Sequence, residues 1–309
     1  MKIKTFFSFI FLIIVFSLLV VYYLSPFTEL EFSIEPANYN FSTNINSSLA
    51  DMQFYPNMRF PTTFITYNIQ EQCSLKKKQE MNDAFDIVEN LTDLNFIPVL
   101  NNADINVTCN ETTRYQEGMF IAGEGGPTRI VRAGDLNVIE SGSILLIRDS
   151  NCERPNIAIH ELFHVLGFKH SDNPNNIMYN YTKCKQTIGE DNVQLLKQLY
   201  SIESLPDLLF NKENTSIFMH GRYLDLNVTI NNFGLIESNP FIVKIIANDK
   251  EVKEILLDKI KTGNGKIINL KNVWISVRNP KNINLSIQSD FEELSKENNI
   301  ISFQVSKKE

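Results

Sequence analysis

Between His160 and Tyr179 the sequence reads HELFHVLGFKHSDNPNNIMY. Residues four apart on a helix lie one turn apart on the same face, so His160 and His164 can grip a single ion. Glu161 follows the first histidine and can reach a water on that ion without being a ligand. Gly167 lets the chain leave the helix through a left-handed turn, which brings His170 round as a third nitrogen ligand. Three protein ligands leave a tetrahedral cation one open position, the pattern of a catalytic rather than a structural zinc. The chain has only 4 histidines, and the fourth, His220, lies far from the stretch.

The elements that must position these groups are legible around them. Pro155 suits a first helical turn, and Ala158, Leu162, Val165 and Leu166 fall opposite the histidines. One side of the helix therefore packs into a core while the other faces a cleft.

This stretch resembles the metzincin clan of zinc metalloproteases, whose signature is H-E-x-x-H-x-x-G-x-x-H followed by a methionine turn. His160, Glu161, His164, Gly167 and His170 fill every fixed position, and Ile177-Met178-Tyr179 is similar to the turn. Ser171 after the third histidine, and Ile188-Gly189-Glu190-Asp191 running to Leu199-Tyr200, resemble the matrixin (matrix-metalloprotease-like) branch. Phe163 and Asn180 depart from the usual glycine and proline, so the resemblance carries no side-chain specificity.

The resemblance implies one catalytic Zn2+ on His160, His164 and His170, with Met178 as a soft apolar floor. It implies Glu161 as general base and protein or peptide substrates. Tyr179 and Tyr181 are candidates for lining the cleft or holding an oxyanion. Matrixin zymogens block their zinc with a propeptide cysteine; none precedes Cys73, so that form of latency is not expected. A second reading, from a different class, is a non-catalytic surface adhesion or binding protein whose C-terminal part works on a degenerate protease domain. The intact ligand set and its glutamate argue against degeneracy.

Stepping outward, 309 residues suggest about two domains. A hydrophobic share of 43%, a net charge of −7 and a pI near 5.3 describe an ordinary globular chain and argue against nucleic acid as a partner. Lys76-Lys77-Lys78 is the one basic run and reads as a solvated helix face. Phe6 to Leu24 is uncharged and apolar, preceded by Lys2 and Lys4. It reads as a transmembrane signal anchor behind a cytoplasmic stub (1–5), leaving the rest outside the cell membrane as a single-pass protein. A cleaved signal peptide would export the chain as well.

Four cysteines fit that compartment and allow three pairings, among which the sequence does not choose. Closeness to the metal stretch suggests Cys152–Cys184, leaving Cys73–Cys109. Residues 25–57 show no helical or alternating period and read as an extracellular linker. Residues 58–202 read as an α+β metzincin-type domain, a mixed sheet plus three helices: a strand at Phe60–Ile69, a helix capped by Ser74, then strands at Phe96–Leu100 and Ala103–Cys109. Gly118–Gly134, with Gly123-Glu124-Gly125-Gly126-Pro127, reads as a loop whose oxygens could take Ca2+, as loops in matrixins do. In metzincins an antiparallel edge strand receives the extended substrate; Asn137–Ile139 and Ser143–Ile147 are both candidates.

After a linker (203–215) the period becomes two. Leu224 to Ile230, Phe241 to Ile245 and Ile283 to Ile287 alternate, separated by Asn/Gly turns. Residues 216–309 thus read as an all-β immunoglobulin-like sandwich. Leu226 to Gly234 and Glu297-Asn298-Asn299 resemble the CARDB-type modules of prokaryotic surface proteins. The module is expected to be a spacer or to contact a surface partner or substrate.

Overall fold

In chain order the computed structural model runs α1 (Lys2–Leu24), β1 (Leu30–Ile34), α2 (Ser47–Ala50), β2 (Met58–Arg59), β3 (Phe64–Ile69), α3 (Leu75–Leu91), β4 (Asn95–Pro98) and β5 (Ile105–Cys109). Next come β6 (Arg114–Gln116), β7 (Met119–Ile121), β8 (Gly123–Ala133), β9 (Leu136–Leu146), α4 (Asn156–Val165) and α5 (Glu190–Tyr200). The chain ends with β10 (Leu208–His220), β11 (Tyr223–Asn232), β12 (Phe241–Ala247), β13 (Lys250–Leu257), β14 (Gly265–Trp274), β15 (Asn282–Gln288) and β16 (Ile300–Lys307). The structure describes residues 2–24, 30–34, 43, 45, 47–110, 114–116 and 119–307. They divide into two units: Phe41–Leu205 with Phe233–Ile236, and Met1–Asn40 with Pro206–Asn232 and Glu237–Glu309.

The first of these units holds the histidine stretch. Its sheet has the order β2-β9-β5-β3-β4, all parallel, with β8 antiparallel on β9. α3 starts at Ser74, whose hydroxyl accepts from Lys77 N at 3.3 Å, and buries Met81, Ala84, Phe85 and Val88 in the core. That core also takes Ile105, Val107, Ile144 and Leu146 from the sheet and Leu162, Val165 and Leu166 from around α4. The three expected helices are α3, α4 and α5, joined by the single turn of α2.

Arg59 is the largest fully buried side chain of this unit's polar set, at 0% exposure. It donates to Leu199 O and Ile202 O at the end of α5, and to Phe60 O and Pro61 O, and stacks on Tyr200 at 4.4 Å. A guanidinium is well suited to this place, because the last carbonyls of a helix are orphaned and carry partial negative charge. Burial pushes its pKa down and that of Tyr200 up to about 12.

Several expectations are corrected here. Gly123–Pro127 is extended strand within β8, not a loop. Asn137–Ile139 and most of Ser143–Ile147 belong to one long strand, β9, which is bonded on both sides and is no edge. The edge strand is β8. Gly123 and Gly125 hide a strand pattern because they answer to close packing on α4 rather than to a turn: a Cβ at Gly125 would collide with the backbone carbonyl of Glu161.

The stretch 25–57 is more than a linker. Leu30-Glu31-Phe32-Ser33-Ile34 does alternate, and β1 pairs antiparallel with β16 from Leu30↔Lys307 to Ile34↔Phe303. Five residues are too few to stand out from the sequence, and the partner lies at the far end of the chain. Residues 51–57 belong to the metal-site unit: Phe54 N donates to Gly167 O at 2.9 Å, and Lys169 N to Met52 O at 2.9 Å.

In α1 the described side chains run from Phe6 to Val21 and are mostly exposed. Among the described residues no helix is long and apolar enough to cross a membrane; the remainder of the expected span to Leu24 lies outside the described side chains.

The second unit is a sandwich of two sheets, β1-β16-β15-β12-β13 and β10-β11-β14. Inward positions of β11, β12 and β15 alternate with outward ones, so Leu224, Leu226, Val228, Ile230, Val243, Ile245, Ile283 and Leu285 share one core. The expected turn at Asn248-Asp249 joins β12 to β13 with both residues at positive φ (45° and 64°). β10 begins at Leu208 and buries Leu208, Leu209 and Phe210, inside the stretch expected to be a linker.

Candidate metal centre

α4 carries His160, Glu161 and His164, all buried. Pro155 occupies the position before its first turn, and Asn156 ties its start to Lys183 O at 2.7 Å. At the other end Gly167 turns the chain at φ +96°, where a Cβ would stand 2.8 Å from Met58 Cβ. The turn returns His170 to the helix face. His164 Nε2 lies 3.0 Å from His160 Nε2 and 3.2 Å from His170 Nε2.

The outer ring nitrogens decide the chemistry of the inner ones. His160 Nδ1 lies 2.7 Å from Ile177 O, and His164 Nδ1 lies 2.8 Å from Phe168 O. A carbonyl oxygen only accepts, so each Nδ1 must carry the proton and each Nε2 presents a lone pair. Lone pairs facing one another within 4.8 Å repel, and a shared cation turns that repulsion into ligation. The three residues therefore fit a metal, and the nitrogen-only set suits zinc. Burial pushes His160 down to about 4 and His164 down to about 3, and lowers His170, keeping the imidazoles neutral.

Met178 is fully buried in the turn that follows. Ser171 N donates to Met178 O at 2.8 Å, linking this turn to the residue after His170. Met178 N donates to Asn176 Oδ1 at 2.8 Å, and Asn176 Nδ2 to Asn192 Oδ1 of α5 at 2.8 Å. Cys152–Cys184 bridges the entry of α4 to the segment beyond the turn, and Cys73–Cys109 bridges the start of α3 to the end of β5. Both pairings are those suggested by closeness to the metal stretch.

Glu161 faces a cleft of about 870 Å³ that it shares with the three histidines. Gly123, Glu124 and Gly125 of β8 form one wall, and Asn180 to Thr182 another. Burial first, and then the Glu124 carboxylate, push Glu161 up to about 8. A dication beside it would oppose both effects. Tyr181 lines the cleft; Tyr179 does not, though its ring lies 5.8 Å from that of Tyr181.

Two contributors were not legible in the sequence. Phe54 stacks on His164 with ring centroids 5.8 Å apart, from a segment with no recognisable period. Gly123 and Gly125 of β8 pack on Glu161, and only the density of glycines between two strands could have drawn attention to them.

A buried helix carrying two imidazoles, a turn returning a third, and a glutamate in the adjoining cleft make a centre able to hold a metal ion. Residues 59–201 match the matrixin family and residues 205–303 match the CARDB family. The chain thus carries a matrixin domain followed by a CARDB module. No curated protein matches the chain.

Proposed function

We propose that this chain is a zinc-dependent endopeptidase held at the outer face of a cell membrane by α1. The observation that carries the catalytic part is the convergence of three imidazole Nε2 atoms, on His160, His164 and His170, beside a buried glutamate. Zinc on His160, His164 and His170 would activate a water and polarise the scissile carbonyl.

The chain's own residues do the rest. Among the described residues β8 is bonded to β9 alone, so an extended peptide can add to its other edge by main-chain hydrogen bonds. That pairing lays the peptide along the cleft wall formed by Gly123 to Gly125. Glu161 takes the proton from the attacking water, and passes it to the amide nitrogen as the C–N bond breaks. Tyr181, in the cleft, is placed to contact the peptide.

The test is Glu161→Gln. Zinc content should stay at one ion per chain while hydrolysis of denatured casein falls by about a thousandfold or more. Near-normal turnover would overturn the role given to Glu161. For the membrane part, support comes from the uncharged run Phe6 to Leu24 behind Lys2 and Lys4. Alkaline extraction of membranes should leave the full chain in the pellet, and release into the supernatant would refute anchoring.

A further inference from the structure

Two carboxylates are buried together in the sandwich unit, each held by neutral hydrogen-bond donors. Asp207 stands just before β10 and Glu293 between β15 and β16; they are 2% and 9% exposed. Asp207 Oδ1 accepts from Ser295 N at 3.2 Å and from Asn298 Nδ2 at 3.1 Å. Glu293 accepts from Leu208 N at 2.9 Å, from Asn299 Nδ2 at 2.9 Å and from the Ser289 hydroxyl. The two carboxylates also repel each other, which together with burial pushes Asp207 up to about 6. The donors bonded to the pair, Ser295 N, Asn298, Leu208 N, Asn299 and Ser289, are all neutral.

A second feature lies in the same cluster. Asn298 and Asn299 are 8% and 4% exposed, and their amide heads touch the two carboxylates. Each has its Oδ1 buried without a hydrogen-bond partner. Buried polar atoms are rarely left so, and two adjacent ones beside two buried carboxylates call for a common explanation.

We propose that Asp207, Glu293, Asn298 and Asn299 form a calcium site in the CARDB module. A half-turn of each amide about Cβ–Cγ brings its oxygen to face the carboxylates, which gives a set of four side-chain oxygen ligands. Oxygen-only ligands select a hard cation over zinc or copper, and two carboxylates balance a dication. Magnesium keeps much of its water, and a cluster about nine-tenths buried leaves little space for it. The cation would tie the segment before β10 to the segment before β16, closing one end of the sandwich. This assignment is independent of the catalytic reading and concerns the other unit of the chain.

The experiment is equilibrium dialysis of the detergent-solubilised full chain against radioactive calcium chloride, with zinc measured on the same samples. Wild type should bind one calcium ion per chain with a dissociation constant of about 10⁻⁴–10⁻³ M, the range of extracellular modules. The double variant Asp207→Asn/Glu293→Gln should lose about nine-tenths or more of that binding while keeping its zinc. Should it fail to fold, Asn298→Asp adds a charged ligand and should tighten binding about tenfold. An equal concentration of magnesium should displace less than half of the bound calcium. No calcium on wild type at about 10 mM, binding unchanged in the double variant, unchanged affinity in Asn298→Asp, or displacement by equal magnesium would each overturn the assignment.

Discussion

A Cβ on Gly123 would stand 2.8 Å from Glu161 Cγ and 2.9 Å from its Oε1. The edge strand and the proposed general base are therefore fitted to each other, and the smallest side chain beyond hydrogen must push the carboxylate aside. Gly123→Ala is expected to retain zinc and lower casein hydrolysis by about a hundredfold, the effect of a misplacement near 1 Å. Unchanged kcat with full zinc content would show that the carboxylate tolerates the shift.

Gly125 meets the backbone of Glu161 rather than its side chain, and backbone yields less. Gly125→Ala should cost about 1–3 kcal/mol in stability as well as activity, by overpacking. Urea denaturation of the two glycine variants side by side separates these effects. If Gly125→Ala were as stable as wild type, β8 would not be packed as tightly on α4 as the geometry requires.

Arg59→Met removes the donors to the buried Leu199 O and the half-buried Ile202 O. The expected loss is about 2–4 kcal/mol. Arg59→Lys should recover only part of it, since an ammonium cannot reproduce the planar fork. Chemical denaturation monitored through zinc release reads both. Equal stability of the methionine variant would show that water reaches these carbonyls.

Cys152 and Cys184 close a loop across 32 positions of sequence that contains all three histidines. Replacing both with Ser should destabilise the domain by about 3–4 kcal/mol on the loop-entropy argument. Zinc should also leave faster, because the bridge joins the entry of α4 to the far side of the Met178 turn. A zinc dissociation rate equal to wild type would confine the bridge to global stability.

Asp207 gives a pH dependence of definite sign. Its folded pKa is pushed up to about 6 from an ordinary 3.8, so the folded chain holds the proton more tightly than the unfolded chain. Above about 6 the buried charge therefore opposes folding. As pH falls from about 6 toward 3.8 the sandwich should gain stability from this group, up to about 3 kcal/mol. Saturating calcium should abolish that gain by keeping the carboxylate charged. Thermal melts between about pH 7 and 4, with and without calcium, measure it; a monotonic loss on acidification without calcium would contradict the sign.

The metal stretch was readable because its chemistry is local. His160, Glu161 and His164 are set by one helical period, and Gly167 announces the turn that returns His170. The sandwich strands were readable for a similar reason, since burial in β11 and β12 follows the period-two pattern. What escaped depends on contacts between distant residues. β8 reads as a glycine loop until Glu161 is beneath it, and β9 conceals its position in the sheet because burial on both faces erases alternation. Phe54 and the strand character of Leu30–Ile34 depend on partners more than a hundred residues away, His164 and β16. The buried carboxylates were equally silent, because Asp207 and Glu293 meet only when both sheets are in place.

The pairing of β1 with β16 makes the chain's two ends a single piece of fabric. Scission between residues 35 and 57 would nick the polypeptide without parting it, because the severed N-terminal fragment stays zipped to the last strand. Shedding from a surface would then demand unfastening that seam as well as cutting. A fragment that washed away under native conditions after a single engineered cut would show the seam too weak to hold.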